Sequence, residues 1–128
     1  MGRAWGRLQQ RHDFLRIAGN GVRRGTPAFL LQAAGQAISG HLRVGFTASR
    51  KIGNAVARNR AKRRLRAAAD IALAPLVARP VDFVLVARHD ALTRDFSIMA
   101  AELIKTAAQL IRDIESPRPA RSAKTESP

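Results

Sequence analysis

Apolar residues change their spacing several times along the chain, and each change marks an element. In residues 8–18, LQQRHDFLRIA, the positions Leu8, Phe14 or Leu15, and Ala18 allow a short helix. Gly19, Asn20 and Gly21 end it. After a turn at Gly25 and Pro27, residues 28–34 (AFLLQAA) are a strand candidate, and residues 35–40 make the next turn. Residues 41–49, HLRVGFTAS, alternate. Leu42, Val44, Phe46 and Ala48 share one face, while Arg43, Gly45, Thr47 and Ser49 share the other. That is a strand with one buried side. Its other side, basic and hydroxyl-bearing, suits a nucleic-acid floor and an ordinary solvated sheet face equally.

The period turns helical over residues 54–74. Ala57, Ala61, Leu65, Ala68 and Ala72 recur at spacings of four and three, and Asn59, Lys62, Arg63 and Arg66 fall opposite. Small residues along the stripe predict close packing on whatever lies beneath. Pro75 and Pro80 bracket the helix end. Residues 82–88, DFVLVAR, form a continuous apolar run, the pattern of a buried central strand. Thr93 or Asp95 caps a final helix over residues 96–114, with Ile98, Leu103, Ala107, Leu110, Ile111 and Ile114 on its inner side. The order α-β-β-α-β-α, with room for an additional short strand, predicts an α+β fold: a single-domain sandwich of a small mixed sheet covered by helices. Residues 1–7 read as a flexible N-terminus, 8–114 as the domain, and 115–128, rich in Pro and Ser, as a disordered tail.

Charge changes the picture more than composition does. The chain of 128 residues carries a formal net charge of +14, which favours an anionic partner, chiefly nucleic acid or an acidic membrane surface. The asymmetry is sharper still. Between Asp13 and Asp70 there is no acidic residue, while residues 49–69 alone hold Arg50, Lys51, Arg58, Arg60, Lys62, Arg63, Arg64 and Arg66. Uncompensated like charges destabilise a helix, so a polyanion is expected to neutralise this one. There is no cysteine, which excludes disulfides and thiolate metal sites and fits a reducing, cytoplasmic setting. No apolar run reaches the roughly 20 residues that span a bilayer, and the N-terminus lacks the apolar core of a signal peptide.

Catalytic chemistry is poorly supplied. His12, His41 and His89 are scattered, the basic half has no paired carboxylates, and Ser49 has no local base. GxxxxGK[ST] is absent. No catalytic residue and no protein-held metal are expected.

Residues 44–66, VGFTASRKIGNAVARNRAKRRLR, closely resemble the signature of the bacterial ribonuclease P protein subunit. Val44-Gly45, Ser49, Lys51, Gly53-Asn54, the triplet Arg58-Asn59-Arg60, and Lys62, Arg63 and Arg66 carry the match, which extends over about residues 8–112. The resemblance implies a small partner of a catalytic RNA. The pair removes the 5′ leader of precursor tRNA by hydrolysis, with Mg²⁺ held mainly by RNA. It implies a monomeric protein in a 1:1 ribonucleoprotein, and a left-handed crossover between parallel strands. By the same resemblance Lys51, Asn54, Arg58, Asn59, Arg60, Lys62, Arg63 and Arg66 meet the RNA subunit. Arg11, Phe14, Arg16, Arg43, Thr47, Ser49 and Arg50 meet the leader, in a cleft between the first helix, the sheet and the basic helix. Gln32 stands where some members carry a second aromatic. The alternatives are a ribosomal or general RNA-binding protein with no role in tRNA 5′ processing, and an autonomous carboxylate–metal nuclease, which the acid-free basic half opposes.

Overall fold

A computed structural model describes residues 5–36 and 40–115. Five strands make one mixed sheet: β1 (Gly6–Arg7), β2 (Val22–Gly25), β3 (Phe29–Gly35), β4 (Arg43–Thr47) and β5 (Val81–Ala87). Their spatial order is β1-β4-β5-β3-β2. β4 lies parallel to both β1 and β5, and β3 is antiparallel to β5 and β2. Three helices complete the fold: α1 (Arg11–Asn20), α2 (Ala55–Ala72) and α3 (Phe96–Glu115).

The two sheet faces are covered unequally. One face meets α2 and α3 and holds the main core, built from Phe29, Leu31, Val44, Phe83 and Leu85 of the strands, with Leu65, Leu103 and Leu110 of the helices. The alanine stripe of α2 does what its sequence predicts: Ala61, Ala68, Ala69 and Ala72 are buried and let the helix approach closely. The opposite face meets only α1. A small second cluster forms there from Leu8, Ile17, Ala34 and Val84, with Phe14 and Val86 packed against it.

The structure corrects or sharpens several expectations from sequence. The first seven residues are not uniformly loose. Trp5 is buried, and Gly6–Arg7 pairs with Arg43 and Val44 of β4. The first helix starts at Arg11, not Leu8, because Leu8 is still extended and donates its N–H to the Val44 carbonyl at 3.0 Å. β2 adds a second short strand, so the order is β-α-β-β-β-α-β-α. Ile98 points outward, and Met99 and Ala100 take the inner positions of α3 beside Leu103. Asp95, not Thr93, caps that helix, its Oδ1 accepting from Ile98 N–H at 3.1 Å. The tail expectation for residues 116–128 lies outside the described residues.

Candidate nucleic-acid interface

The turn into α2 fixes the basic surface. Ser49 Oγ accepts from Lys51 N–H at 3.3 Å and starts a single helical turn, Arg50–Ile52. Gly53 follows at φ 144°, a conformation that a side chain rarely adopts. Asn54 then caps α2, its Oδ1 accepting from Ala57 N–H at 2.9 Å, and Arg58 donates back to the Gly53 carbonyl at 2.9 Å. Three residues assigned to RNA by resemblance, Ser49, Asn54 and Arg58, thus each commit one polar atom to shaping the turn.

Beyond the turn the helix sorts its cations by face. Asn59, Arg60 and Arg63 are exposed, with Arg50 and Lys51 exposed just before them. Arg58, Lys62 and Arg66 follow each other at spacings of four on a half-buried flank. On that flank the Arg66 guanidinium lies 5.2 Å from the centre of the Phe46 ring, and Phe46 in turn packs on Trp5 at 5.7 Å. Arg66 therefore joins α2 to β4 as well as contributing charge. Arg64, on the other flank, donates to the carbonyls of Ala91 and Arg94 at 2.6 and 2.7 Å. It ties the helix to the loop before α3.

The α1 face of the sheet is a floor with one wet end. Register brings Thr47, Val86, Leu30 and Gly25 into one row across β4, β5, β3 and β2. Thr47, Val86 and Leu30 are only half-buried. Phe14 is also half-buried and lies over Gly45, where a Cβ would sit 2.6 Å from its ring. Glycine is needed there for close approach. Arg11 and Arg50 are exposed. Gln32, on the same face, is buried and paired in register with Val84.

Arg16 and Arg43 behave differently. Both reach Asp82, which is fully buried on β5. Arg43 donates Nε to Oδ1 at 2.9 Å and Nη2 to Oδ2 at 2.8 Å. Arg16 donates to Oδ2 and Gln36 Nε2 to Oδ1. Asp13 lies 3.4 Å from Arg16 and 3.8 Å from Arg43. Burial alone would raise the Asp82 pKa, but the hydrogen bonds from Arg43, Arg16 and Gln36 outweigh it and hold the carboxyl below its ordinary value. These two arginines, counted by resemblance as leader contacts, spend their charge on a structural carboxylate. Their side chains are only about a third exposed.

Among the described residues no three His, Asp or Glu side chains come together to hold a metal ion. Asp13 and Asp82 are both engaged by the guanidinium groups of Arg16 and Arg43. No described helix is long and apolar enough to cross a membrane.

The ribonuclease P family model matches residues 4–111. The chain belongs to the ribonuclease P protein family. The ribonuclease P protein component of Gluconacetobacter diazotrophicus is 39% identical over 100 residues, covering 78% of this chain and 86% of that protein. That of Paramagnetospirillum magneticum is 38% identical over 128 residues, covering 95% and 94%. Among solved structures, the RNase P protein of Thermotoga maritima superimposes with a TM-score of 0.65 at 25% identity, covering 83% of this chain and 96% of that one. The Staphylococcus aureus protein gives 0.64 at 26%, covering 86% and 94%. Family members are the protein component of an endoribonuclease holoenzyme.

Proposed function

We infer that this chain is the protein subunit of ribonuclease P, binding the catalytic RNA and the 5′ leader of precursor tRNA while the leader is hydrolysed away. The observation that carries the reading is the outward face of α2, acid-free until Asp70 near its C-terminal end, with Asn59, Arg60 and Arg63 exposed beside Arg50 and Lys51, in a chain that belongs to this family. Such a face neutralises phosphates and releases their counterions, which supplies affinity without reading sequence. The two surfaces divide the work. The α2 face takes structured RNA. The floor, with Phe14 beside Arg11 and Thr47, takes a single strand by stacking and charge. Chemistry rests with the RNA and its Mg²⁺. The protein's part is to hold substrate and offset phosphate repulsion, so that less Mg²⁺ is needed. The assembly is a 1:1 ribonucleoprotein, and its setting is the cytoplasm.

A processing assay tests this. Precursor tRNA, the cognate RNA subunit and low Mg²⁺ should give mature 5′ ends with the protein and few without it. Cleavage by RNA-free protein would overturn the division of labour, and no effect on processing would favour a general RNA-binding role. In the same assay Phe14→Ala should weaken precursor binding by about 1–3 kcal/mol per stacked base and leave mature tRNA, which has no leader, nearly unchanged. Equal loss for both tRNAs, with a large fall in melting temperature, would assign Phe14 to the fold alone.

A further inference from the structure

A second basic surface lies at the edge of the sheet remote from β4. β2 and the turn after it face α3 across an open groove of about 490 Å³, lined by Arg23, Arg24, Thr26, Lys105 and Gln109 among others. One carboxylate, Glu102, also lines the groove, and it and the nearby Asp113 are already engaged. Glu102 accepts two hydrogen bonds from Arg94, at 2.9 and 2.6 Å, and Asp113 lies 4.0 Å from Arg24. Arg23 and Lys105 are exposed and form no ion pair among the described residues. The groove is therefore a concave surface with a net cationic lining and an amide, Gln109, chemistry suited to phosphodiesters.

Register connects it to the floor. The row Thr47–Val86–Leu30–Gly25 runs across the sheet toward β2. Neighbouring strands lie about 4.8 Å apart, so the row is roughly 14 Å long, the span of a few nucleotides. It ends under a cation: Arg88 extends over Gly25, where a Cβ would sit 2.9 Å from its guanidinium, and donates to the Thr26 carbonyl at 2.9 Å. Gly25 and Thr26 also line the groove. A strand that crosses the floor and passes Arg88 thus arrives at Arg23 and Lys105. Direction follows from where the catalytic RNA docks. If it meets α2, which packs on the β4 and β5 side, the nucleotides next to the cleaved bond lie over β4. Those further upstream then lie over β2.

We propose that the groove between β2 and α3 is a distal leader site, holding phosphates of precursor tRNA upstream of the nucleotides on the floor. The proposal rests on the function inferred above. It is tested with the reconstituted holoenzyme and two precursors, one with a leader too short to pass Gly25 and one several nucleotides longer. The double variant Arg23→Ala, Lys105→Ala should bind the long-leader precursor about tenfold or more weakly, the scale of one charge-assisted hydrogen bond. Its salt dependence should be shallower by about 0.7 for each single-strand phosphate that the variant no longer neutralises. Binding of the short-leader precursor and of the RNA subunit should be unchanged, and the charge-keeping pair Arg23→Lys, Lys105→Arg should retain the long-leader advantage. Equal loss on both precursors, weakened RNA-subunit binding, or no loss at all would each overturn the distal site. Failure of the wild-type protein to promote cleavage would instead remove the underlying function.

Discussion

Arg60 and Arg63 on α2, and Arg16 and Arg43 beneath α1, carry the same charge in opposite circumstances. The first pair projects into solvent from a stretch of helix with no acid before Asp70. The second pair converges on one carboxylate with no exposed surface at all. Availability to an outside anion is set by what already holds the guanidinium, and the charge count of a segment does not contain that information. The contrast also explains how so cationic a chain can still build a sheet. The cations beneath α1 are matched to Asp82 and Asp13, and those left uncompensated, on α2 and at the β2 edge, sit where solvent and counterions reach them.

The most severe way to break the contrast is to remove the buried carboxylate. Asp82→Asn keeps the shape and leaves two guanidinium groups with only the more distant Asp13 carboxylate. Breaking a buried pair costs about 3–5 kcal/mol, and the partial exposure of Arg16 and Arg43 argues for about 3. Urea unfolding at neutral pH reads this as a lower midpoint, whereas the same test on Arg60→Ala should show little change. Acid supplies the matching sign. The Asp82 pKa is depressed by folding, so its contribution is fully present above the ordinary carboxylate value of about 4 and is lost as pH falls through the lower folded value. Below that, the wild-type protein and Asp82→Asn should converge in stability. A midpoint for Asp82→Asn equal to wild type at pH 7 would show that the cluster does not hold the sheet together.

The sequence made this contrast only half legible. Periodic elements announced themselves: the alternation of residues 42–48, the alanine stripe of α2, and the apolar run of β5 all lie where the pattern put them. β1 and β2 did not. Two residues carry no period, and VRRG on a sheet edge is exposed at three of its four positions, so nothing in it reads as buried. Leu8 looked like a helix residue because spacing alone cannot distinguish the first turn of a helix from an extended residue just before it. Among candidate site residues, the exposed stripe Asn59, Arg60 and Arg63 followed from helical geometry. The fates of Arg16, Arg43 and Arg64 did not. Their partners lie 66, 39 and about 30 positions away along the chain. No local pattern reports an interaction of that range.

A smaller effect sharpens the contrast within α2 itself, between arginines on different faces of one helix. The double variant Arg60→Ala, Arg63→Ala should lower affinity for the RNA subunit by roughly a hundredfold, one charge-assisted hydrogen bond each. The log–log salt slope should become shallower by about 0.9 for each duplex phosphate that the variant no longer neutralises. Melting temperature should stay within about a degree or two, since exposed side chains without structural partners are removed. Arg64→Ala should do the reverse. It strips hydrogen bonds from the carbonyls of Ala91 and Arg94, so stability should fall by about 1–3 kcal/mol with little change in salt slope. Filter binding across a salt series, beside thermal melts of the same preparations, separates the two. An unchanged slope in the double variant would return the α2 face to a merely solvated one.

The smallest effect concerns Asn54, which belongs to the family signature and by resemblance meets RNA, yet in the fold caps α2 through Ala57 N–H. Both roles predict that Asn54→Ala weakens RNA binding, directly in one case and by fraying the first turn beneath Arg58, Asn59 and Arg60 in the other. Serine separates them. Its shorter side chain still accepts from a backbone N–H at a helix start, but it cannot present the amide donor and acceptor that RNA recognition would use. If capping is the main role, Asn54→Ala should cost about 1 kcal/mol of stability, and Asn54→Ser should recover most of both stability and RNA affinity. If Asn54→Ser melts like wild type and binds RNA as poorly as Asn54→Ala, the amide itself touches RNA, and Asn54 belongs with Arg60 and Arg63.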